Sequence, residues 1–598
     1  MIPLSTRRLC VIFIGLVGAA SGVHAEDLDS VMYRDPAIPV ARVVKAFPPG
    51  LADLWLPVLE RPERDMRCRA ALAIAQAHEG GLPGMAAAVP RLLHMLDRTD
   101  DHPAVLAAAA RALVVLDARD AAPHFLTLAK SGDSDIRDIV EPALARWDYK
   151  PARDLWLSRL AMASPYRHDL LEAIRHLGTV REERAAPRLR ELALSSDAAA
   201  PVRLAAARAL AEIRTSGLES DAVKLSGDTS PAGMTPRLVA ANLLRRHKGD
   251  EAIRVLQTLA RSPEPAVALA ALTRMTELGT VHVLPVMAEV MRNQGAEVRM
   301  HGVAAMIDHP SDDHVRSLAR IFSDPHPDVR IQSRKGLHKL ASERRALIIE
   351  LAVKALNASE WRAQEQAAIL LGQLDHKPAA ERMVKLLDTN RSEVAIAVGW
   401  GLRQLAVAET LPPVLDHIKR RHAALLRVGH TAGLRGVTPD ALDKQLSQLA
   451  QFIGQARYRP ADPALQALVP RILKGGMPPV FTPVGPETRA AAIWALGHIN
   501  EGNPEPKMVA SIESRLTGDG LMGRDDARVR SMAAIALARF QAKTALKALR
   551  EYADGTAPTV DITTNACRVA LGLMTNEPVP PPGEVKSWQQ GWFLVPLK

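Results

Sequence analysis

Val202-Arg203-Leu204-Ala205-Ala206-Ala207-Arg208-Ala209-Leu210-Ala211-Glu212-Ile213 puts apolar or small residues at 202, 205, 206, 209, 210 and 213. Steps of three and four residues along that series trace the buried stripe of an amphipathic helix. The same register restarts at Met66, Val105, Ile136, Tyr166, Val202, Pro236, Val267, Val298 and Val329. It continues from Ala363, Val394, Leu426, Thr488, Val529 and Thr563. The steps between anchors run from 30 to 41 residues, with 31 the commonest, except for one of 62 between Leu426 and Thr488. That double step predicts a degenerate unit near residues 455–475. The helices close on motifs such as Leu370-Leu371-Gly372-Gln373-Leu374 and Ala495-Leu496-Gly497-His498-Ile499, whose small residues admit a neighbouring helix closely. A shorter apolar stretch precedes each, as in Val283-Leu284-Pro285-Val286-Met287-Ala288. A helix–turn–helix of about 31 residues cannot bury its own face, so the units must stack into a solenoid.

The turns carry matching chemistry. Asp65, Asp135, Asp328, Glu297, Glu393 and Glu487 stand where a carboxylate meets the positive end of the second helix. Pro103, Pro201, Pro265 and Pro327 stand where a missing N–H costs little. Ten anchors are followed by arginine: 67, 137, 167, 203, 237, 299, 330, 427, 489 and 530. A guanidinium recurring once per unit is read as a structural rung that bonds turn carbonyls and the acidic cap of the next unit.

The V-R-x-x-A-A-x-A-L-G-x-I/L signature resembles HEAT repeats, above all the short variety of bacterial and phycobilisome-lyase-like chains. The resemblance covers roughly residues 50–575. It implies an all-α, right-handed α-solenoid superhelix of about fifteen helix-hairpin repeats that binds other macromolecules on a concave face.

Residues 1–25 read as a secretory signal peptide. Arg7 and Arg8 form the positive region, Leu9 to Ala20 the apolar region, and Val23-His24-Ala25 the cleavage site. The mature chain then starts at Glu26, has no transmembrane segment, and works in the periplasm or outside the cell. Its net charge falls from +10 to +8, with the basic residues scattered. Three cysteines and no C-x-x-C exclude a disulfide scaffold, zinc ribbons and cysteine-ligated clusters.

The repeat pattern breaks in several places. Residues 26–50 form an N-terminal arm or cap, and residues 51–576 the solenoid, with irregular insertions near 215–235, 474–486 and 517–527. Phe481 lies in the largest insertion, which either projects on the binding side or is a tolerated surface loop. The tail, residues 577–598, holds a proline run and then Trp588, Trp592 and Phe593. These rings either cover the open end of the last repeat or anchor a partner. The candidate binding residues are therefore Phe481, Trp588, Trp592 and Phe593.

Catalytic chemistry finds little support. There is no G-x-S-x-G elbow, P-loop or G-x-G-x-x-G. The single His-Glu pair, His78-Glu79, does not match the iron-binding pairs of deoxyhypusine hydroxylase, which the HEAT resemblance brings into question. His301, Asp308, His309, Asp312, Asp313, His314, Asp324, His326 and Asp328 form the densest polar cluster, without a recognised metal-ligand spacing. The expectation is an exported, non-catalytic scaffold with no cofactor, binding protein partners of the cell envelope and not nucleic acid. The alternatives are a HEAT-type accessory enzyme or lyase with an unrecognised metal or pigment site, and an envelope protein that binds anionic polymer. The oligomeric state is not legible.

Overall fold

The computed structural model describes residues 28–98, 101–130, 133–162, 166–228, 230–428, 434, 436–473, 480–518, 523–554, 562–579, 584–588 and 591–595. The segment read as a signal peptide lies outside them. Helices dominate the described residues, with two short strand pairs beside them. They form fifteen consecutive hairpins, numbered here as repeats 1–15. The second helices of repeats 1–8 are Arg64–Gly80, Pro103–Val115, Ser134–Arg146, Arg167–Thr179, Ala200–Ile213, Met234–Leu243, Pro265–Leu278 and Ala296–Asp308. Pro327–Asn357 breaks at Arg344, so it supplies both the second helix of repeat 9 and the first of repeat 10. The second helices then continue as Trp361–Gln373, Ser392–Leu405, Pro439–Gln455, Pro486–Ile499, Ala527–Arg539 and Ile562–Thr575.

Local chemistry sets these boundaries. Proline fills the first turn of the second helix in repeats 2, 5, 7, 9, 12 and 13, where no intrahelical donor is lost. Asp133 and Asp526 cap helices through their side chains. Many second helices end in a left-handed residue that is not glycine: Asp117, Asp148, Arg181, Asp375, Ala406, Arg457 and Gln541 all have φ near 50°. At the first of these the Ala118 N–H donates to the Leu113 carbonyl, closing a Schellman-type turn. Close helix packing needs small residues. A Cβ on Gly178 would stand 2.8 Å from Ala209, and one on Gly454 would stand 2.7 Å from Ala495.

The arginine rungs do what a per-repeat contact requires. Arg67 donates to the Arg61 and Pro62 carbonyls at 2.8 Å and reaches Asp101 of the following turn at 2.5 Å. Arg137 meets Asp169 at 2.8 Å. Arg299 and Arg330 hold turn carbonyls at 2.8–3.2 Å. Arg489 binds Asp525 through two bonds of 2.7 Å.

Three sequence expectations need correction. Leu426 is not an anchor. It lies near the end of the 18-residue first helix of repeat 12, Leu411–Val428, and is 46% exposed, so Arg427 is no rung. That helix is itself amphipathic, which reproduces the register of a second helix. The span from Val394 to Thr488 thus contains two hairpins with long connections, not three short ones. The described residues of 455–475 hold the 3-10 turn Arg459–Ala461, the first helix of repeat 13, Asp462–Leu468, and a strand, not a degenerate unit. Residues 215–235 are not a bare insertion, since Glu219–Ser226 folds as the first helix of repeat 6 between its glycine-marked ends.

The chain divides into two compact units, residues 41–314 with 583–598, and residues 1–40 with 315–582. In the first, strand β1 (Val43–Ala46) pairs in parallel with a tail strand, Val585–Trp588, Val43 opposite Val585 and Ala46 opposite Trp588. In the second, residues 28–38 lie along repeats 11–14, as described below.

Candidate peptide-binding groove

Four successive second helices, those of repeats 11–14, hold the N-terminal arm through their side chains. Repeat 11 supplies Trp400, whose Nε1 donates to Asp29 Oδ1 at 3.1 Å, and Arg403, which donates to the same oxygen at 2.7 Å. Arg403 and Gln448 of repeat 12 also donate to the Asp29 carbonyl, each at 3.0 Å. Gln451 accepts from Ser30 Oγ at 3.0 Å and from the Met32 N–H at 3.3 Å. The Met32 side chain is fully buried. Tyr33 Oη donates to Glu487 at 3.0 Å, at the start of the repeat 13 helix. Trp494 Nε1 donates to the Asp35 carbonyl at 2.7 Å. The Asp35 carboxylate pairs with Arg539 of repeat 14 at 2.8 Å and lies 3.2 Å from His498 Nε2.

The arm turns twice, as a 3-10 turn over Val31–Tyr33 and again at Asp35-Pro36 between the bridged Arg34 and Ala37. Arg34 also pairs with Asp29 at 3.2 Å within the arm, and the other polar contacts come from helix side chains. The groove presents donors to the two carboxylates of the arm and acceptors to Ser30, Met32 and Tyr33 between them. Burial raises the Asp29 carboxyl, but the Arg403 guanidinium and the hydrogen bonds from Trp400 and Arg403 outweigh it and hold the group below its ordinary range. Burial, helped by Arg539, pulls His498 down to about 4 against the pull of Asp35. Burial and the neighbouring Glu487 carboxylate raise the Tyr33 phenol, which keeps it a proton donor. Beside the arm lies an open cavity of about 670 Å³, lined by Leu28, Ser30 and Tyr33 of the arm and by Arg391, Glu393 and Lys444 of the helices.

The residues singled out by sequence fall elsewhere. Trp592 is buried in the core of the 41–314 unit, 5.4 Å from Trp55 and 6.0 Å from Phe47 between ring centres. Phe593 packs partly buried against the same core, and Trp55 Nε1 donates to the Leu594 carbonyl at 3.1 Å. These rings therefore cover the first repeat, whose own Phe47 and Trp55 give them aromatic partners; the sequence had assigned such cover to the last repeat. Trp588 is half exposed on the tail strand. Phe481 pairs through its backbone with Ile472, and its side chain lies outside the described structure.

The histidine-rich cluster does not converge. His301 bonds Thr276 Oγ1 at 2.8 Å, His309 meets Thr280 at 3.1 Å, and His314 bonds the His309 carbonyl at 2.7 Å. Among the described residues no three His, Cys, Asp or Glu side chains come together as metal ligands. Nor is any described helix long and apolar enough to cross a membrane.

The groove residues had weak sequence signals. Trp400 and Trp494 each lie six residues past an anchor, off the core stripe, in a chain with only 8 tryptophans. Gln445, Gln448 and Gln451 put amides at helical spacing along the helix Pro439–Gln455.

Residues 52–145 match the family model for HEAT repeats. None of the curated proteins matches this sequence. Among solved structures, Kap95p, which binds RanGDP, is similar at 13% identity over 88% of this chain and 72% of that chain, with a TM-score of 0.50. Kap121p bound to RanGTP is similar at 14% identity over 85% of this chain and 59% of that chain, with a TM-score of 0.46. At these identities the likeness is one of fold. Hairpins stacked through small residues, a buried arginine rung in successive units and the matching family model together make this chain a HEAT-repeat protein, an all-α solenoid.

Proposed function

We propose that the chain is an exported, non-catalytic scaffold that holds protein partners of the cell envelope on the faces of its stacked second helices. The observation that carries this reading is the groove of repeats 11–14. There, side chains from four consecutive helices already hold a length of polypeptide by both its carboxylates and its main chain. A preformed face of this kind binds with little ordering cost, because affinity comes from several modest contacts spread over a rigid stack. Export rests on the leader-like first 25 residues.

Crosslinking in the native envelope, followed by mapping of the linked residues, tests the binding role. The expected result is a mature chain starting at Glu26 with crosslinks on second-helix faces. An uncleaved chain retained in the cytoplasm, or crosslinks confined to first helices, would overturn the reading.

A further inference from the structure

We propose that the groove of repeats 11–14 is a recognition site for a short acidic segment of a partner protein, and that residues 29–35 are a displaceable stand-in for that segment. The inference rests on the scaffold role proposed above and names the chemistry of the partner.

The occupant's chemistry follows from what the groove offers. At one end Trp400, Arg403 and Gln404 all donate to one carboxylate, that of Asp29. At the other end Arg539 and His498 meet a second carboxylate, six residues on, at Asp35. Between them Gln451 holds the main chain and Met32 is fully buried. A matching partner segment carries two acids six residues apart that flank an unbranched apolar side chain. An aromatic hydroxyl just after the apolar residue adds the bond to Glu487. Charged donors facing both ends select carboxylates over neutral residues, since charge-assisted hydrogen bonds are roughly twice as strong as neutral ones.

The stand-in is built to leave. Its grip is nearly all side chain to side chain or side chain to main chain, and Asp35 is 48% exposed. The open cavity along Leu28, Ser30 and Tyr33 gives an incoming segment room to engage before the arm lifts. Because the arm is tethered, it competes at a high effective concentration, so the partner's apparent affinity for the intact chain falls with the fraction of open groove.

The test uses a fluorescent synthetic peptide of residues 27–38 and a variant lacking residues 26–38, with helical circular dichroism and melting as the check on folding. The peptide should bind the armless variant and bind the intact chain at least about tenfold more weakly. Alanine at both Asp29 and Asp35 of the peptide should weaken binding by about a hundredfold, and Arg403→Ala in the armless variant by about tenfold or more. Selection from a displayed random-peptide library on the armless variant should return two acids six apart around an apolar residue. Should the deletion fail to fold, a protease site inserted after Val40 in the full chain replaces it; after cleavage, the labelled peptide should exchange with the released arm.

No peptide binding by a folded armless chain, or equal binding of a scrambled peptide, would overturn the proposal. So would an intact chain of doubled mass that becomes monomeric on arm removal, because the occupant would then be a second copy's arm. In any of these cases, envelope crosslinks on the other second-helix faces would leave the scaffold role standing.

Discussion

The second helices of the two units use one hairpin in opposite ways. In repeat 1 the helix Arg64–Gly80 leaves a regular exposed line through Arg69, Leu72, Gln76 and Glu79, as an amphipathic helix facing water should. In repeats 13 and 14 every residue from Thr488 to Ile499 and from Val529 to Ala538 is buried. Repeat 12 buries Gln445, Ser447, Gln448 and Gln451 as well as its apolar stripe. Buried amides need partners, and here part of the partnership comes from the arm. The difference teaches that a bare solenoid face and an occupied one are told apart by buried polar residues, not by the apolar stripe, which is the same in both.

The largest expected effect separates the rungs of the two units. Asp525 is shared by Arg489 at 2.7 Å and by Arg471 and Arg515 at 3.5 Å, all buried. Asp525→Ala should cost about 3–5 kcal/mol, because it leaves buried guanidiniums without their common carboxylate. Asp101→Ala in the other unit should cost about 1 kcal/mol, since Arg67 keeps its two carbonyl acceptors. Equal losses in urea melts would erase the distinction.

Met32→Ala comes next. It should weaken arm docking by about 2–5 kcal/mol and speed proteolysis within residues 28–40, with little change in the helical melt.

Acid probes each unit through one buried histidine. Burial draws His176 in the first unit and His417 in the second down to about 4. An unfolded histidine takes its proton near pH 6.5, so each should withdraw stability as pH falls from about 6.5 to 4, by up to about 1.4 kcal/mol per pH unit. His176→Gln and His417→Gln should each flatten the pH dependence of unfolding by one proton.

The smallest effect is Leu72→Ala on the bare face, expected within about 0.5 kcal/mol of wild type because the side chain is 44% exposed. A loss above about 2 kcal/mol would mean that this face is covered too.

Periodicity made the solenoid legible because each hairpin needs the same stripe and the same rung, as Val202 and Arg203 display. It failed at Leu426, where a long first helix carried an equally good stripe. The left-handed helix ends escaped notice because Asp117, Asp148 and Gln541 stand where glycine is the usual signal. The groove was hidden for a different reason. Asp29 meets Trp400 across 371 positions of sequence, and Asp35 meets Arg539 across 504. No local pattern reports such pairings, and only the off-stripe tryptophans and the amides of repeat 12 hinted that this face had an occupant.

The tail strand that pairs with Val43–Ala46 sets an order of events during synthesis. The ribosome releases repeats 1–8 early, yet the edge of β1 and the aromatic site around Trp55 stay open until residues 585–594 emerge. Repeats 1–8 thus wait on a segment made long after them, and a chain that stalls before residues 585–594 leaves a raw strand edge and bare rings exposed to aggregation.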